Sequence, residues 1–160
     1  MRKIIDFKFP NGEIIKVNYL RNQKKKFVAK APSPNFWGIR RTSIDELFFE
    51  FTYREQISIM YHELWHYHNN SKFEIKYRTN RLWLWLFFFI NKPMLHAQEF
   101  NADLYALKMT NKKDTLSMLK KLEKMIKAGI LPPSHEKTHP SIEERIKIIQ
   151  KTKIVEDNLK

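Results

Sequence analysis

Residues 61–70 read YHELWHYHNN, with two histidines four residues apart and a glutamate directly after the first. Apolar residues recur around this stretch at helical spacing, so the pattern predicts a helix. Residues four apart share one face of a helix, and His62 and His66 can therefore direct two imidazole nitrogens at one metal ion. Glu63 would lie beside that ion, where a base is needed to take a proton from water. A plain polar helix face would look the same, so this stretch alone leaves both interpretations open.

The region before this helix predicts a small sheet. Residues 4–9 and 13–19 are rich in β-branched and aromatic residues, and they flank Pro10-Asn11-Gly12. Asn-Gly between two such runs is a hairpin signal. Residues 27–29 could add a short strand, and residues 39–42 could form an extended edge.

The rest of the chain predicts helices with recognisable starts and stops. The pattern Ser/Thr-x-x-Glu, typical of a capping box, occurs at Ser43–Glu46, Thr52–Glu55 and Ser141–Glu144. Asp114 is the expected cap of a helix over 115–128, which ends at Gly129. A further helix is expected over 93–110, and the last one runs to about residue 151. Together these elements predict an α+β fold, with a small N-terminal sheet or hairpin followed by a mainly helical core.

Length and composition restrict the class of protein. With 160 residues the chain is long enough for one domain with a real core. We expect a single domain over 1–160, with strands in 1–42, the helical core in 43–151 and a tail in 152–160. The absence of cysteine excludes disulfides, thiolate metal sites and cysteine nucleophiles. With three glycines, a glycine-rich phosphate loop is not expected.

The formal net charge is +13, which favours anionic partners such as nucleic acid, an acidic membrane surface or acidic substrates. A solvated lysine-rich surface explains the same number. The N-terminus does not resemble a signal peptide, because Asp6, Lys8 and Pro10 interrupt its apolar run. The apolar run Leu82–Ile90 would span about 13 Å as a helix, too short for a bilayer core of roughly 30 Å.

A catalytic zinc site needs a third protein ligand, and Glu99 is the best candidate in the sequence. It lies in the next long predicted helix, within EFNAD at 99–103, and Asp103 falls on the same face one turn later. From there Asp103 could accept a hydrogen bond from the far nitrogen of a ligand histidine and fix its tautomer. The other candidate ligands are His68, His96, His135 and His139.

HELWH at 62–66, EFNAD at 99–103 and HPSIEER at 139–145 together resemble the catalytic core of a known family. This is the HtpX and type I CAAX prenyl protease family, metallopeptidase family forty-eight. Its second motif reads E-x-x-A-D, and its third reads H-P followed by E-R-I. The three motifs occur here in the same order. The short interval between the first two resembles that of soluble minimal members of the family.

The resemblance implies a zincin-like gluzincin fold and a role for each matching residue. His62, His66 and Glu99 would bind zinc, and Glu63 would act as general base and then as general acid. Asp103 would orient a ligand histidine. His139 would lie across the cleft and stabilise the oxyanion, and Arg145 would support the ligand shell. By analogy, an extended substrate would pair with the strand formed by Ile39, Arg40, Arg41 and Thr42.

The expected function is therefore zinc-dependent endopeptidase activity, in which zinc-activated water hydrolyses a peptide bond of a peptide or protein substrate. Two alternatives stay open: a latent or inactive zinc-binding relative that serves as an interaction module, and a basic zincin that acts on DNA-bound proteins. The residues 151–160 or the N-terminal hairpin could cover the cleft in a zymogen. No nucleic-acid partner is expected. A cytoplasmic location is expected, with membrane association as a further option. Leu82–Ile90 could be a core helix, a peripheral contact with an acidic membrane surface, a self-association contact or part of a substrate groove.

Overall fold

The structure is a computed structural model that describes residues 2–21, 24, 26–31, 41–77, 92–133 and 139–153. For residues 70–77 and 92–95 it describes the backbone alone. Within these residues, a four-stranded mixed sheet is followed by a 3₁₀ helix and four α-helices. The predicted α+β class is confirmed. Whether Leu82–Ile90 is a core helix, a membrane or oligomer contact or part of a substrate groove concerns residues outside the described part of the chain.

The N-terminal hairpin forms as its sequence predicts. Strands β1 (Arg2–Lys8) and β2 (Ile14–Leu20) pair antiparallel around Pro10–Gly12. Gly12 has a φ of 88°, a conformation that residues with a side chain rarely adopt. The Asn11 side chain accepts a hydrogen bond from the Glu13 amide at 3.0 Å, which further holds the turn. Alternate residues of both strands face the core.

Strands β3 (Ala29–Lys30) and β4 (Ser43–Asp45) complete the sheet in the order β1–β2–β4–β3. β4 is parallel to β2 and antiparallel to β3, so it lies inside the sheet. The capping box expected at Ser43 is therefore wrong, because Ser43 pairs with both neighbouring strands and Ile44 is fully buried. The 3₁₀ helix Glu46–Glu50 follows, and it is Asp45 that caps this helix.

The α-helices in the described part of the chain are α1 (Tyr53–Tyr77), α2 (Lys92–Met109), α3 (Lys112–Lys127) and α4 (Ile142–Lys151). The capping box at Ser141 forms as predicted, with both reciprocal hydrogen bonds present. At the start of α1 the Thr52 amide donates to the Glu55 carboxylate at 2.8 Å. Both boxes therefore mark true helix starts.

The start of α3 differs from the prediction. Asn111, not Asp114, caps this helix, and its side chain accepts a hydrogen bond from the Asp114 amide at 2.8 Å. The backbone of Asn111 is extended, with φ −159°, so the helix begins about one turn earlier than expected. Asp114 still favours the helix, because an acidic side chain in the first turn complements the helix dipole.

The core lies where the inner face of the sheet meets α1. Phe9, Phe48 and Met60 are almost wholly buried there, and Phe9 packs its ring against Tyr61 at a centroid distance of 4.8 Å. On the other side of α1, helices α2 and α3 contribute Ala106 and Leu119 to the same cluster. This packing holds α1 between sheet and helices, and one flank of α1 carries the histidines. Among the described helices, none is both long and apolar enough to span a membrane.

Candidate metal centre

The residues predicted as metal ligands meet where α1 and α2 pack together. His62 and His66 lie on consecutive turns of α1, and Glu99 lies on α2. All three residues are buried, with exposed fractions of 8–9%. One ligand atom from each lies within 4.8 Å of the others, and this is the one such group among the described residues. The periodicity of the two helices therefore brings together the three residues that the sequence predicts.

The spacing of these atoms fits a small cation. The Nε2 atoms of His62 and His66 lie 3.3 Å apart, and the Glu99 carboxylate oxygens lie 3.5 Å and 3.3 Å from them, respectively. With metal–nitrogen distances near 2.0–2.1 Å, ligand atoms on the corners of a tetrahedron stand roughly 3.3–3.4 Å apart. Two imidazoles and one carboxylate also form a ligand set that zinc accepts. The donor geometry therefore fits a tetrahedral zinc site with three protein ligands.

Asp103 fixes the orientation of His62. Its Oδ1 lies 2.9 Å from His62 Nδ1, which leaves Nε2 directed toward His66 and Glu99. Burial alone would lower the pKa of His62, but the hydrogen bonds to Asp103 and Glu99 outweigh it and raise the pKa to about 10. The same carboxylates thus favour positive charge at this nitrogen pair, whether a proton or a metal ion supplies it.

Arg145 on α4 holds Asp103 in place. Its Nε and Nη2 atoms donate to the two Asp103 oxygens at 2.7 Å and 2.6 Å, a bidentate pair that fixes the carboxylate plane. Burial alone would raise the pKa of Asp103, but the Arg145 guanidinium outweighs burial and lowers it. Nη1 of Arg145 also lies 3.5 Å from Glu99. Arg145 thus connects α4 to one candidate ligand, Glu99, and to the residue that orients another.

Glu99 is charged in this setting. Burial alone would raise its pKa, but the hydrogen bonds with His62 and His66 and the charge of Arg145 bring it well below the usual value. An ionised carboxylate is the form that binds a metal ion. The carboxylate also has a third imidazole beside it, since His139 Nε2 lies 3.5 Å away.

His139 stands at the rim of the centre, just before α4. About half of its side chain is exposed, whereas the ligand residues are buried. Burial lowers its pKa, although the charge of Glu99 partly opposes this shift. A half-exposed imidazole beside the ligands is able to reach a molecule that enters from solvent.

Glu63 lies on the flank of α1 that faces the end of β3. The backbone amide of Ala31, the residue directly after β3, hydrogen-bonds to its carboxylate, while burial raises the pKa of Glu63. This contact places the sheet edge beside the candidate base. The sequence did not predict it, because β3 is too short to carry a recognisable pattern and nothing local connects Ala31 with Glu63.

The other predicted site residues lie elsewhere or outside the description. Ile39, Arg40 and His135 belong to the undescribed residues. Arg41 and Thr42 are described but lie before β4, and the Thr42 carbonyl accepts a hydrogen bond from the Asn18 amide at 2.9 Å. That end of the predicted substrate strand thus adjoins β2 inside the sheet, not its edge. His68 is exposed and His96 is half-buried, and neither belongs to the ligand group.

These features define a candidate site for one metal ion, with three residues that could bind it, an oriented histidine and an acidic residue beside them. The family model of peptidase family M48 matches residues 82–153. This match covers Glu99, Asp103, His139 and Arg145, whereas the two histidines lie before it. It supports peptidase family M48 for this chain, and therefore a metallopeptidase. The comparisons with curated proteins and with solved structures gave no match.

Proposed function

We propose that the protein is a zinc-dependent endopeptidase that hydrolyses peptide bonds in a peptide or protein substrate. One observation carries the proposal: the convergence of His62, His66 and Glu99 at tetrahedral spacing, with Glu63 close enough to interact electrostatically with all three. The match to peptidase family M48 supports the same class of reaction. Zinc at these ligands would supply Lewis-acid chemistry, polarising a carbonyl and making water more acidic.

The acid–base work falls to Glu63. In this proposal its carboxylate takes a proton from the attacking water and then delivers it to the leaving amine. The Ala31 amide supports this role, because its hydrogen bond lowers the pKa of Glu63 against the effect of burial and so favours the charged form that acts as a base. His139 is the group that reaches from the rim and stabilises the negative charge on the carbonyl oxygen in the transition state.

Asp103 and Arg145 act through another residue and not on the substrate. Arg145 holds the Asp103 carboxylate, and the carboxylate holds the His62 ring. Such partners are worth about 10- to 100-fold in metal affinity or activity. We therefore assign both as positioning residues of the centre.

The substrate would enter along the sheet edge nearest Glu63. Among the described strands, β3 pairs on one side with β4 and forms the edge of the sheet. Because the chain runs from β3 directly to Ala31 beside Glu63, a peptide that adds to this edge would pass over the centre. We propose β3 and Ala31 for this role in place of Arg41 and Thr42.

The test measures zinc content and peptide cleavage on the same protein samples. Zinc-loaded protein is incubated with a quenched-fluorescent peptide library beside Glu63→Gln, which keeps the shape of the side chain but removes the base. Glu13→Gln, on the exposed hairpin, is the matched control. We expect about one zinc per chain in all three proteins, and cleavage by the wild type and the control only.

Three results would contradict the proposal. Equal cleavage by wild type and Glu63→Gln would mean that another enzyme contaminates the sample. Full zinc occupancy without cleavage of any peptide would favour the alternative of a latent or inactive relative. Less than stoichiometric zinc in a folded wild-type protein would remove the metal centre itself.

A further inference from the structure

The exposed side of α3 carries a straight row of lysines. Lys113, Lys120, Lys124 and Lys127, called the lysine row below, are all exposed. A helix turns by about 100° per residue, so these four positions lie within roughly 60° of one another. At about 1.5 Å per residue the row is about 21 Å long. The opposite side of α3 is buried through Met118 and Leu119, so the row faces outward.

Contacts with the rest of the fold account for other lysines of α3, but not for most of the lysine row. Lys112 donates to the Gln150 and Thr152 carbonyls at the end of α4, and Lys121 donates to the Glu50 carbonyl. Within the row, Lys127 pairs with Glu123. Neither Lys113, Lys120 nor Lys124 makes an ion pair with another described residue.

Like charges this close repel one another in the folded protein. An anionic surface that covers the lysine row would relieve this repulsion, so binding to such a surface would be favourable. The row contains lysine alone, without arginine or aromatic side chains interleaved. Nucleic-acid sites generally add such groups for base contacts and stacking. Lysines on flexible stems suit a diffuse layer of phosphate groups instead. Ile130, 47% exposed, follows the end of the row and adds an apolar tip.

We propose that the lysine row binds the anionic headgroup surface of a membrane, with α3 lying along that surface. The contact is electrostatic and peripheral, and it needs neither the metal centre nor Leu82–Ile90. Each lysine near an anionic bilayer contributes roughly a fivefold gain in partition. The three lysines that pair with no described residue are therefore expected to contribute about 100-fold together.

The experiment measures sedimentation of the full-length protein with phosphatidylcholine vesicles, with and without phosphatidylserine. The test variant replaces Lys113, Lys120 and Lys124 by glutamine. The control replaces Lys3, Lys8 and Lys16, which are exposed on the hairpin, by glutamine. Both variants lose the same net charge, and both change exposed side chains only. Unchanged midpoints of thermal unfolding confirm that each variant folds.

We expect binding only to vesicles with phosphatidylserine, a loss of binding as salt rises, and a partition about 100-fold lower for the test variant. The control should change partition only a few-fold. Equal losses in both variants would overturn the proposal, because net charge alone would then explain binding. Absence of binding to anionic vesicles would overturn it too. Duplex DNA would be compared with the vesicles at equal phosphate concentration. If the protein bound DNA more tightly than the vesicles, and the test variant lost this binding, the partner of the lysine row would be nucleic acid and not a membrane.

Discussion

Replacing Asp103 by asparagine tests whether the hydrogen-bonded pair behind His62 sets metal affinity. Asp103 Oδ1 meets both His62 Nδ1 and Arg145 Nη2, and Oδ2 meets Arg145 Nε. An asparagine has one oxygen, so either orientation of the amide directs an N–H group at a donor. The Asp103→Asn variant should therefore hold the His62 ring less firmly. It should also leave the Arg145 guanidinium without its carboxylate partner.

The expected loss is about 10- to 100-fold in zinc affinity, or about 1.4–2.7 kcal/mol. Competition with a chromophoric chelator at neutral pH gives the dissociation constant, and circular dichroism shows whether the variant is folded. The matched control is Asp6→Asn, which changes an exposed aspartate on β1. A folded Asp103→Asn protein with the zinc affinity of the control would refute the reasoning, because His62 would then need no orientation.

Three further predictions concern stability. The pKa of Glu55 is lowered because the hydrogen bonds from Ser117 and Thr52 outweigh its burial, so its contribution is present above the unfolded pKa of about 4.3 and is lost as pH falls below it. The stability difference between wild type and Glu55→Gln should therefore shrink in urea titrations as pH falls through this range; a constant difference would contradict this. Ser141→Ala removes a helix cap and should cost about 1 kcal/mol in the same assay, whereas Ser141→Thr should restore most of it. Leu119→Ala, at a fully buried position, should cost about 2–5 kcal/mol, and a loss below 1 kcal/mol would show that this part of the core is not tightly packed.

Local patterns predicted most of the elements, because their information lies within a few residues. The hairpin turn and the boxes at Thr52 and Ser141 form as the sequence indicates. Ser43 shows the limit of this reasoning. Its local pattern favours a helix start, but the pairing of β4 with two strands and the burial of Ile44 decide otherwise. Such pairing depends on segments distant in sequence, which a local pattern does not contain.

The candidate site was likewise predictable where local patterns decide and not where distant segments meet. Helical periodicity was sufficient to place His62 and His66 on one face, and the second motif indicated Glu99 and Asp103. The role of Arg145 stayed general at the sequence level, since its partner Asp103 is 42 residues away. The contact of Ala31 with Glu63 had no sequence signal, because it depends on where a two-residue strand ends. The contacts between elements distant in sequence could therefore be known only from the structure.

The position of Arg145 has a consequence for the protein while it is being synthesised. All three candidate ligands are present in the nascent chain once residue 99 has been made, but the guanidinium that holds Asp103 arrives with the last described helix. A nascent chain that has not yet reached residue 145 would contain the candidate ligands but would lack the guanidinium that holds Asp103. We expect the arrangement around His62 to be completed only once residue 145 has been made and α4 has packed against α2.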